Sequence, residues 1–384
     1  MHFNLIFYLQ LVIRSFFPGK EKAMRLTWWR LRSLAIFYFV FPFCIITGWI
    51  GLLLDEIFYR GYKKVKVKKP LFIIGNFRSG STLLQRVLAR DHHHFTSLRT
   101  WEIYLAPSVS QRKFIFALMK VDKLFGSPVF KKLQEINKAN FSGIQMHKVS
   151  LYEPEEDEAL FLYLFASLFI WFFYPVKNLE KAFAHFDHSF PLCKRRKMMS
   201  FYKSCVQRHL YFHTQKEAIF MSKNPAFTPK VASILELFPD ARFILLVRTP
   251  HQLLSSVMNW FKFAWTTMAD PADEKLFLSD VVELTRHWYL YPLKALRALP
   301  KNQWELYNYH RFVTCPWIYI RRLYKKYGFK ISASFQKILY ELENKIAQYK
   351  SPHLHSSEDF GIPPDKIEEI YKDVFRVFPF LRNV

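Results

Sequence analysis

The stretch Leu71-Phe72-Ile73-Ile74-Gly75-Asn76-Phe77-Arg78-Ser79-Gly80-Ser81-Thr82-Leu83-Leu84 decides how the rest of the chain is read. Its first four residues are aliphatic or aromatic without a polar interruption, the pattern of a strand buried on both faces. Leu83, Leu84, Val87 and Leu88 then recur at helical spacing. A glycine-and-hydroxyl turn joins the two. Strand, tight turn and helix N-terminus together present backbone N–H groups and a positive dipole end to an anion. The spacing falls close to the phosphate-loop pattern GxxxxGK[ST], with Ser81 where the lysine would stand. Arg78 is the only cation in the loop. Without that lysine the loop is poorly suited to the β- and γ-phosphates of a triphosphate. An arginine fork among hydroxyls suits a single terminal phosphate group.

A second stretch agrees. Residues 237–247, LFPDARFILLV, read as a turn followed by a buried strand, which ends on Arg248. Thr249-Pro250 opens the next helix with proline in a favoured position, and Ser255 and Ser256 lie about two turns on. A phosphate-loop NTPase needs an aspartate for Mg²⁺ at the end of such a strand. An arginine there calls for more negative charge on the ligand instead of a metal.

With these residues in view, the chain resembles the sulfotransferases that use PAPS (3′-phosphoadenosine-5′-phosphosulfate), in their membrane-associated and bacterial branch. The resemblance rests on RSGST after a hydrophobic strand and on FPDARFILLVRTPHQLLSS. It implies that Arg78, Ser79, Gly80, Ser81 and Thr82 hold the 5′-phosphosulfate, and that Arg248 and Ser256 hold the 3′-phosphate. Lys223-Asn224-Pro225 resembles the Lys-Xaa-Pro that precedes the second motif in that branch, and SPHLHSSEDFGIPPDKIEEIY resembles its closing segment. The likeness covers roughly residues 70–380. Three positions depart from the family pattern. Phe77 stands where proline is common. Tyr309, a further cofactor-site candidate, is followed by His310 and Arg311 where the family has two acids. No Arg-Lys-Gly loop is seen near the C-terminus, where Lys350, Ser351 and His353 are the stand-ins.

Composition bounds the alternatives. The 384 residues carry 56 basic and 31 acidic side chains, a formal charge of +25. A doubly phosphorylated cofactor and an anionic membrane surface both account for that sign. Nucleic acid is not expected as a partner, because the aromatics do not sit in short basic-aromatic patches. Cys44, Cys193, Cys205 and Cys315 lack ligand or CxxC spacing, which argues against zinc and a disulfide framework.

Composition shifts near residue 70, so the chain divides into a leader, 1–69, and a catalytic domain, 70–384. Ser33 to Leu54 is an uncharged run of 22 residues, long enough to span a bilayer. Pro42, Gly48 and Gly51 interrupt it, and basic residues flank both ends, so no orientation follows from charge. A hairpin or interfacial anchor is expected rather than a single span, with residues 3–17 as a second interfacial helix. The anchored domain is expected on the cytoplasmic face in a bacterium, or at the Golgi membrane in a eukaryote. A second uncharged run, Ala159 to Pro175, follows an acid-rich helix start at 153–158 and reads as a buried helix. Strands are expected at 71–74, 218–222, 242–247 and 303–309, with helices at 81–90, 228–238, 250–265 and 273–298. The fold class is α/β: a P-loop-like three-layer sandwich with a central parallel sheet, preceded by membrane-associated helices. Both phosphate motifs then lie at carboxyl ends of strands, where such sheets bind ligands.

Sulfuryl transfer needs an acceptor hydroxyl, in-line approach and cations over the leaving phosphate. Arg78 and Lys223 can supply that charge without a metal. The base must be a carboxylate or imidazole near the loop. Glu102 matches in rough position the glutamate base of the tyrosylprotein branch, and His147 is its rival. Glu155, Glu156 and Asp157 read as a charged helix start, and His92-His93-His94 as a loop. The expected acceptor is a hydroxyl of a lipid, glycolipid or saccharide at the membrane. The alternative is a P-loop nucleotide kinase or a nucleotide-binding membrane protein without catalysis.

Overall fold

The computed structural model describes residues 4–17, 26–141, 150–176, 178–213, 218–269, 277–348 and 362–382. His147 and the C-terminal stand-ins Lys350, Ser351 and His353 lie outside the described residues. Five parallel strands form the centre: β1 Leu71–Gly75, β2 Phe95–Thr96, β3 Ile219–Lys223, β4 Arg242–Val247 and β5 Trp304–Asn308, in the order β2-β3-β1-β4-β5. Four of them sit within a residue or so of where the apolar runs predict. The two-residue edge strand β2 is too short to leave a periodic signal.

Both sheet faces are covered, as continuous apolar strands require. Leu71 and Ile73 of β1 and Ile244 and Leu246 of β4 point to a cluster with helix Pro316–Tyr327, through Ile320, Leu323 and Tyr324. Phe72, Ile74, Phe243 and Leu245 point the other way, into the larger core with Trp288 and Phe227. The result is a three-layer α/β sandwich. After β1 the chain moves to the β2–β3 side, whereas β4 is followed by β5 on the opposite side. The crevice at the carboxyl ends of β1 and β4 is therefore a topological switch point.

Two sequence expectations change. The helix expected over 228–238 starts late: Pro225 and Pro229 hold residues Pro225–Lys230 in a 3-10 turn, and the α-helix runs Val231–Leu237. The run 159–175 is buried but is not one helix. It divides into the 3-10 segment Asp157–Leu164 and the short helix Ile170–Phe173.

The leader is a further correction. Helix α1 spans Leu5–Phe16, and a single continuous helix, α2, spans Trp28–Phe58, so of the expected hairpin or interfacial anchor the hairpin is not formed. Pro42 does not break it. The π-helical segment Ile36–Val40 widens the turn ahead of the proline, with Phe41 N reaching back to Ile36 O. One stripe of α2 faces the protein: Leu34, Phe37, Ile45 and Leu52 are buried in the same core as Phe72 and Phe161. Trp49 Nε1 donates to Tyr163 O at 3.1 Å, and Gly48 lies against the Tyr163 ring. At the end of α2, Asp55 is fully buried. It accepts from Val109 N and Ser110 N, both at 2.8 Å, and so caps helix α3, Val109–Leu124, from outside; Arg208 Nε reaches it at 2.9 Å. The composition boundary at 69/70 is thus not a boundary in the packing.

Candidate active site

The site is built at the carboxyl ends of four strands. Gly75 ends β1, and Asn76 to Gly80 turn the chain into helix Ser81–Leu88. Thr228 pins the turn, accepting from Gly75 N at 2.9 Å and donating to Gly75 O at 2.8 Å. Gly80 has φ +85° and lies beneath the Tyr309 ring, where a Cβ would sit 2.5 Å from the ring edge. Arg78 also adopts a left-handed conformation, φ 64°, which costs a non-glycine residue about 1–2 kcal/mol. That conformation turns its guanidinium across the crevice, where Nε donates to Ser256 Oγ at 3.1 Å.

Arg248 follows directly on β4. Its Nη1 donates to Arg78 O at 3.1 Å, and its guanidinium lies 4.5 Å from the centre of the Tyr309 ring. Burial lowers its pKa below the ordinary arginine value, with Tyr309 and Tyr289 opposing. Among the described residues no carboxylate pairs with it. Ser79 Oγ is fully buried and has no hydrogen-bond partner among the described residues. Two guanidiniums at a helix N-terminus, with no carboxylate on Arg248 among the described residues, form an arrangement completed by an anion. The structure therefore brings Arg78, Ser79, Gly80, Ser81, Thr82, Arg248, Ser256 and Tyr309 to one place.

Lys223 ends β3. It is 1% exposed and donates to Glu156 Oε1 at 2.6 Å. The acids read as a charged helix start do open the 3-10 segment Asp157–Leu164, and they also form a seam. Glu156 takes Lys223. Asp157 accepts from Tyr202 OH, Ser222 Oγ and Asn224 Nδ2 at 2.6, 2.8 and 3.1 Å. Glu158 takes Lys230 at 2.5 Å. Burial pushes the Asp157 carboxyl up to about 6, against the pull of Tyr202, Ser222 and Asn224. This seam fixes Glu156 beside the phosphate loop. A signal for it existed: five acids in residues 153–158 exceed what one helix start uses.

Glu102 lies elsewhere. It is the third residue of helix Thr100–Tyr104, fully buried, with Oε2 accepting from Arg99 N at 2.8 Å. Its Oε1 meets His213 Nε2 at 2.9 Å, Arg112 Nη1 at 3.2 Å and His209 Nδ1 at 3.4 Å. Burial alone would raise its pKa, but Arg112 and His209 outweigh that and hold it well below the carboxylate range. Three partners thus crowd Oε1, and Glu102 is not among the residues that line the cavity at the loop. Glu102, His209 and His213 bring ligand-type atoms within 4.8 Å of one another, but Arg112 already supplies the cation.

That cavity has a volume of about 640 Å³. Its polar end is lined by Arg78, Gly80, Ser81, Thr82, Arg248, Tyr309, Glu155 and Glu156. Its other end is aromatic: Phe41 of α2, Phe169, Phe172 and Phe173 from the buried run, and Trp260 and Phe263 of helix α4, Pro250–Met268.

A profile of the sulfotransferase family matches residues 70–332. The omega-hydroxy-beta-dihydromenaquinone-9 sulfotransferase Stf3 of Mycobacterium bovis, and that of Mycobacterium tuberculosis, are each 25% identical over 338 residues, 85% of this chain and 77% of that protein. Among solved structures, sulfotransferase STF1 of Mycobacterium tuberculosis superposes with TM-score 0.70 at 16% identity, covering 95% of this chain and 91% of that one. STF9 of Mycobacterium avium gives TM-score 0.65 at 17% identity, with 85% and 80% covered. At such identities the superpositions speak for the fold. The profile match, which spans well over half of the chain and contains both phosphate-site motifs, makes this chain a member of the sulfotransferase family.

Proposed function

We propose that the protein transfers the sulfuryl group of PAPS to a hydroxyl of a lipid-like acceptor at a membrane surface. The observation that carries this reading is the two-ended cavity, which joins an anion-binding end to an aromatic one. The name of the relative Stf3, a sulfotransferase of a menaquinone-derived alcohol, supports the acceptor class.

In this reading Arg248, with Ser256, faces the 3′-phosphate, and the loop from Arg78 to Thr82 faces the 5′-phosphosulfate. The acceptor oxygen attacks sulfur in line while the bond from sulfur to the bridging phosphate oxygen breaks. The acceptor proton passes to Glu156, which takes over the base role expected of Glu102. Charge gathers on the leaving 5′-phosphate, where Arg78, Lys223 and the helix N-terminus receive it. Protein cations supply the positive charge, so turnover is expected to persist in a chelator. The Lys223 ammonium donates to Glu156 Oε1 at 2.6 Å, so the pair holds both groups beside the loop until the cofactor engages Lys223.

The exposed stripe of α2 supports the membrane. Ile36, Phe39, Phe43, Ile46, Ile50, Leu53 and Ile57 recur every three or four residues on the side away from the core. Because the opposite stripe is packed on the protein from Arg30 to Asp55, the helix is placed in the plane of the interface rather than across it. Lys63, Lys64, Lys66, Lys68 and Lys69 follow it on the surface and suit anionic headgroups. The domain then faces the compartment that makes PAPS, the cytoplasm in a bacterium. The test is transfer of ³⁵S from labelled PAPS to an alcohol in vesicles, beside thermal shifts with PAP and with ATP–Mg²⁺. Equal stabilisation by ATP–Mg²⁺ would favour a nucleotide kinase.

A further inference from the structure

We infer that the membrane helix α2 is itself a wall of the acceptor site, and that the acceptor's apolar chain slides in sideways from the bilayer between α2 and α4. This rests on the proposed function and goes beyond it. It names the acceptor as a long-chain alcohol whose hydroxyl end leads and whose remaining chain stays in the membrane.

Three observations carry it. First, Phe41 lies on α2 between the buried stripe and the exposed one, and it lines the cavity that also holds Arg78 and Glu156. One helix therefore contributes both to the outer apolar surface and to the reaction chamber. Second, α4 reaches the same surface. Phe263 and Met268 line the cavity and are each 37% exposed, and the start of α2 packs against α4. The cavity lining is thus apolar where these half-exposed residues of α4 meet the outside. Third, the lining divides by polarity. Polar groups cluster at the phosphate loop, and Phe169, Phe172 and Trp260 pack on one another as a separate aromatic part of the lining. A chain drawn from lipid through this rim exchanges one apolar surrounding for another. A chain taken from water would first leave exposed the apolar stripe that flanks the rim.

The experiment uses full-length protein on phosphatidylcholine–phosphatidylglycerol vesicles. The probe is a hexadecanol carrying a mid-chain diazirine, with crosslinks mapped by mass spectrometry. Labelling is expected at Phe41, Phe172, Trp260 and Phe263, and it should fall at least tenfold in Phe263→Asp while PAP affinity stays within twofold. Phe41→Asp serves as the second variant, with PAP affinity as the check on folding. Labels confined to the outer stripe at Ile46 and Ile50 would overturn the route. So would faster cavity labelling when the same alcohol is supplied from water on cyclodextrin. Loss of PAP binding in the unaltered protein would instead strike the proposed function, so the two failures are distinguishable.

Discussion

Arg78 Nε donates to Ser256 Oγ across 3.1 Å, so two motifs 178 positions apart in the chain share one hydrogen bond. The contact exists because β1 and β4 are neighbours, with Gly75 paired to Leu246, and each strand delivers its arginine to the same crevice. Arg248 Nη1 closes the arrangement by donating to the backbone oxygen of Arg78. The loop that would grip the 5′ end is therefore held by the residues that would grip the 3′ end.

Arg248→Ala should accordingly weaken PAP as well as PAPS, since the 3′-phosphate is common to both. Losing a hydrogen-bonded charge of this kind costs about 1.5–3 kcal/mol, roughly 10- to 150-fold in dissociation constant. Calorimetric titration with PAP is the measurement. An unchanged constant would remove the 3′-phosphate from this end of the crevice.

Glu156→Gln and Glu102→Gln should separate chemistry from support. The first should lower turnover by about 10²–10⁴ with PAP affinity nearly intact, as for a general base that meets the acceptor. Glu155→Gln is its neighbouring control, because Glu155 lines the same cavity. Glu102→Gln should lower the melting temperature instead, since it leaves Arg112 buried beside a neutral partner. Its turnover per folded molecule should stay within a few-fold of the parent. The reverse pattern would return the base to Glu102.

How far the chain could be read on its own depends on the range of each interaction. LFIIG and RFILLV are strands because every residue in them is apolar, and the glycine turn and Thr249-Pro250 are local signals for the two helix starts. The cofactor end was therefore legible as motifs. The surroundings of Glu102 are not legible locally, because Arg112, His209 and His213 come from distant parts of the chain and only the fold brings them to one carboxylate. The pairing of Glu156 is hidden for the same reason: Lys223 reaches it across 67 residues. The basic flanks on both sides of the apolar run suggest the hairpin, and the continuity of α2 through Pro42 rests on a π-helical turn with no mark in the sequence.

His209 gives the pH dependence a testable sign. Burial lowers its pKa to about 4, against Glu102, which raises it. An unfolded histidine titrates near 6.5, so between about 6.5 and 4 the unfolded chain binds the extra proton. This contribution to stability is complete above that window and is lost as the pH falls through it, by about 3 kcal/mol at most. Asp157, raised to about 6, acts in the opposite sense: its folded carboxyl is protonated where the unfolded one is ionised. His209→Asn should therefore gain stability relative to the parent as the pH drops from 6.5 to 4. Urea unfolding across that range is the measurement, and parallel curves would show that His209 is not held neutral.

Asp55→Ala tests whether the leader is part of the fold. A detachable anchor would tolerate the change, because the packing of the catalytic domain would not depend on α2. The structure instead makes Asp55 the cap of helix Val109–Leu124 and the partner of buried Arg208, whose guanidinium also stacks 3.9 Å from the Tyr62 ring centre. Removing one member of a buried pair costs about 3–5 kcal/mol, and the retained Glu56 contact of Arg208 Nη2 at 2.9 Å places Asp55→Ala toward the lower end. Asp55→Ala should lower the melting temperature by several degrees in detergent solution and weaken cavity labelling through displacement of Phe41. Ile50→Ser, on the exposed stripe, should leave the melting temperature nearly unchanged and reduce vesicle binding. Equal melting temperatures for the parent and Asp55→Ala would mean that α2 contributes nothing to the folded core, and the acceptor wall built on it would go with it.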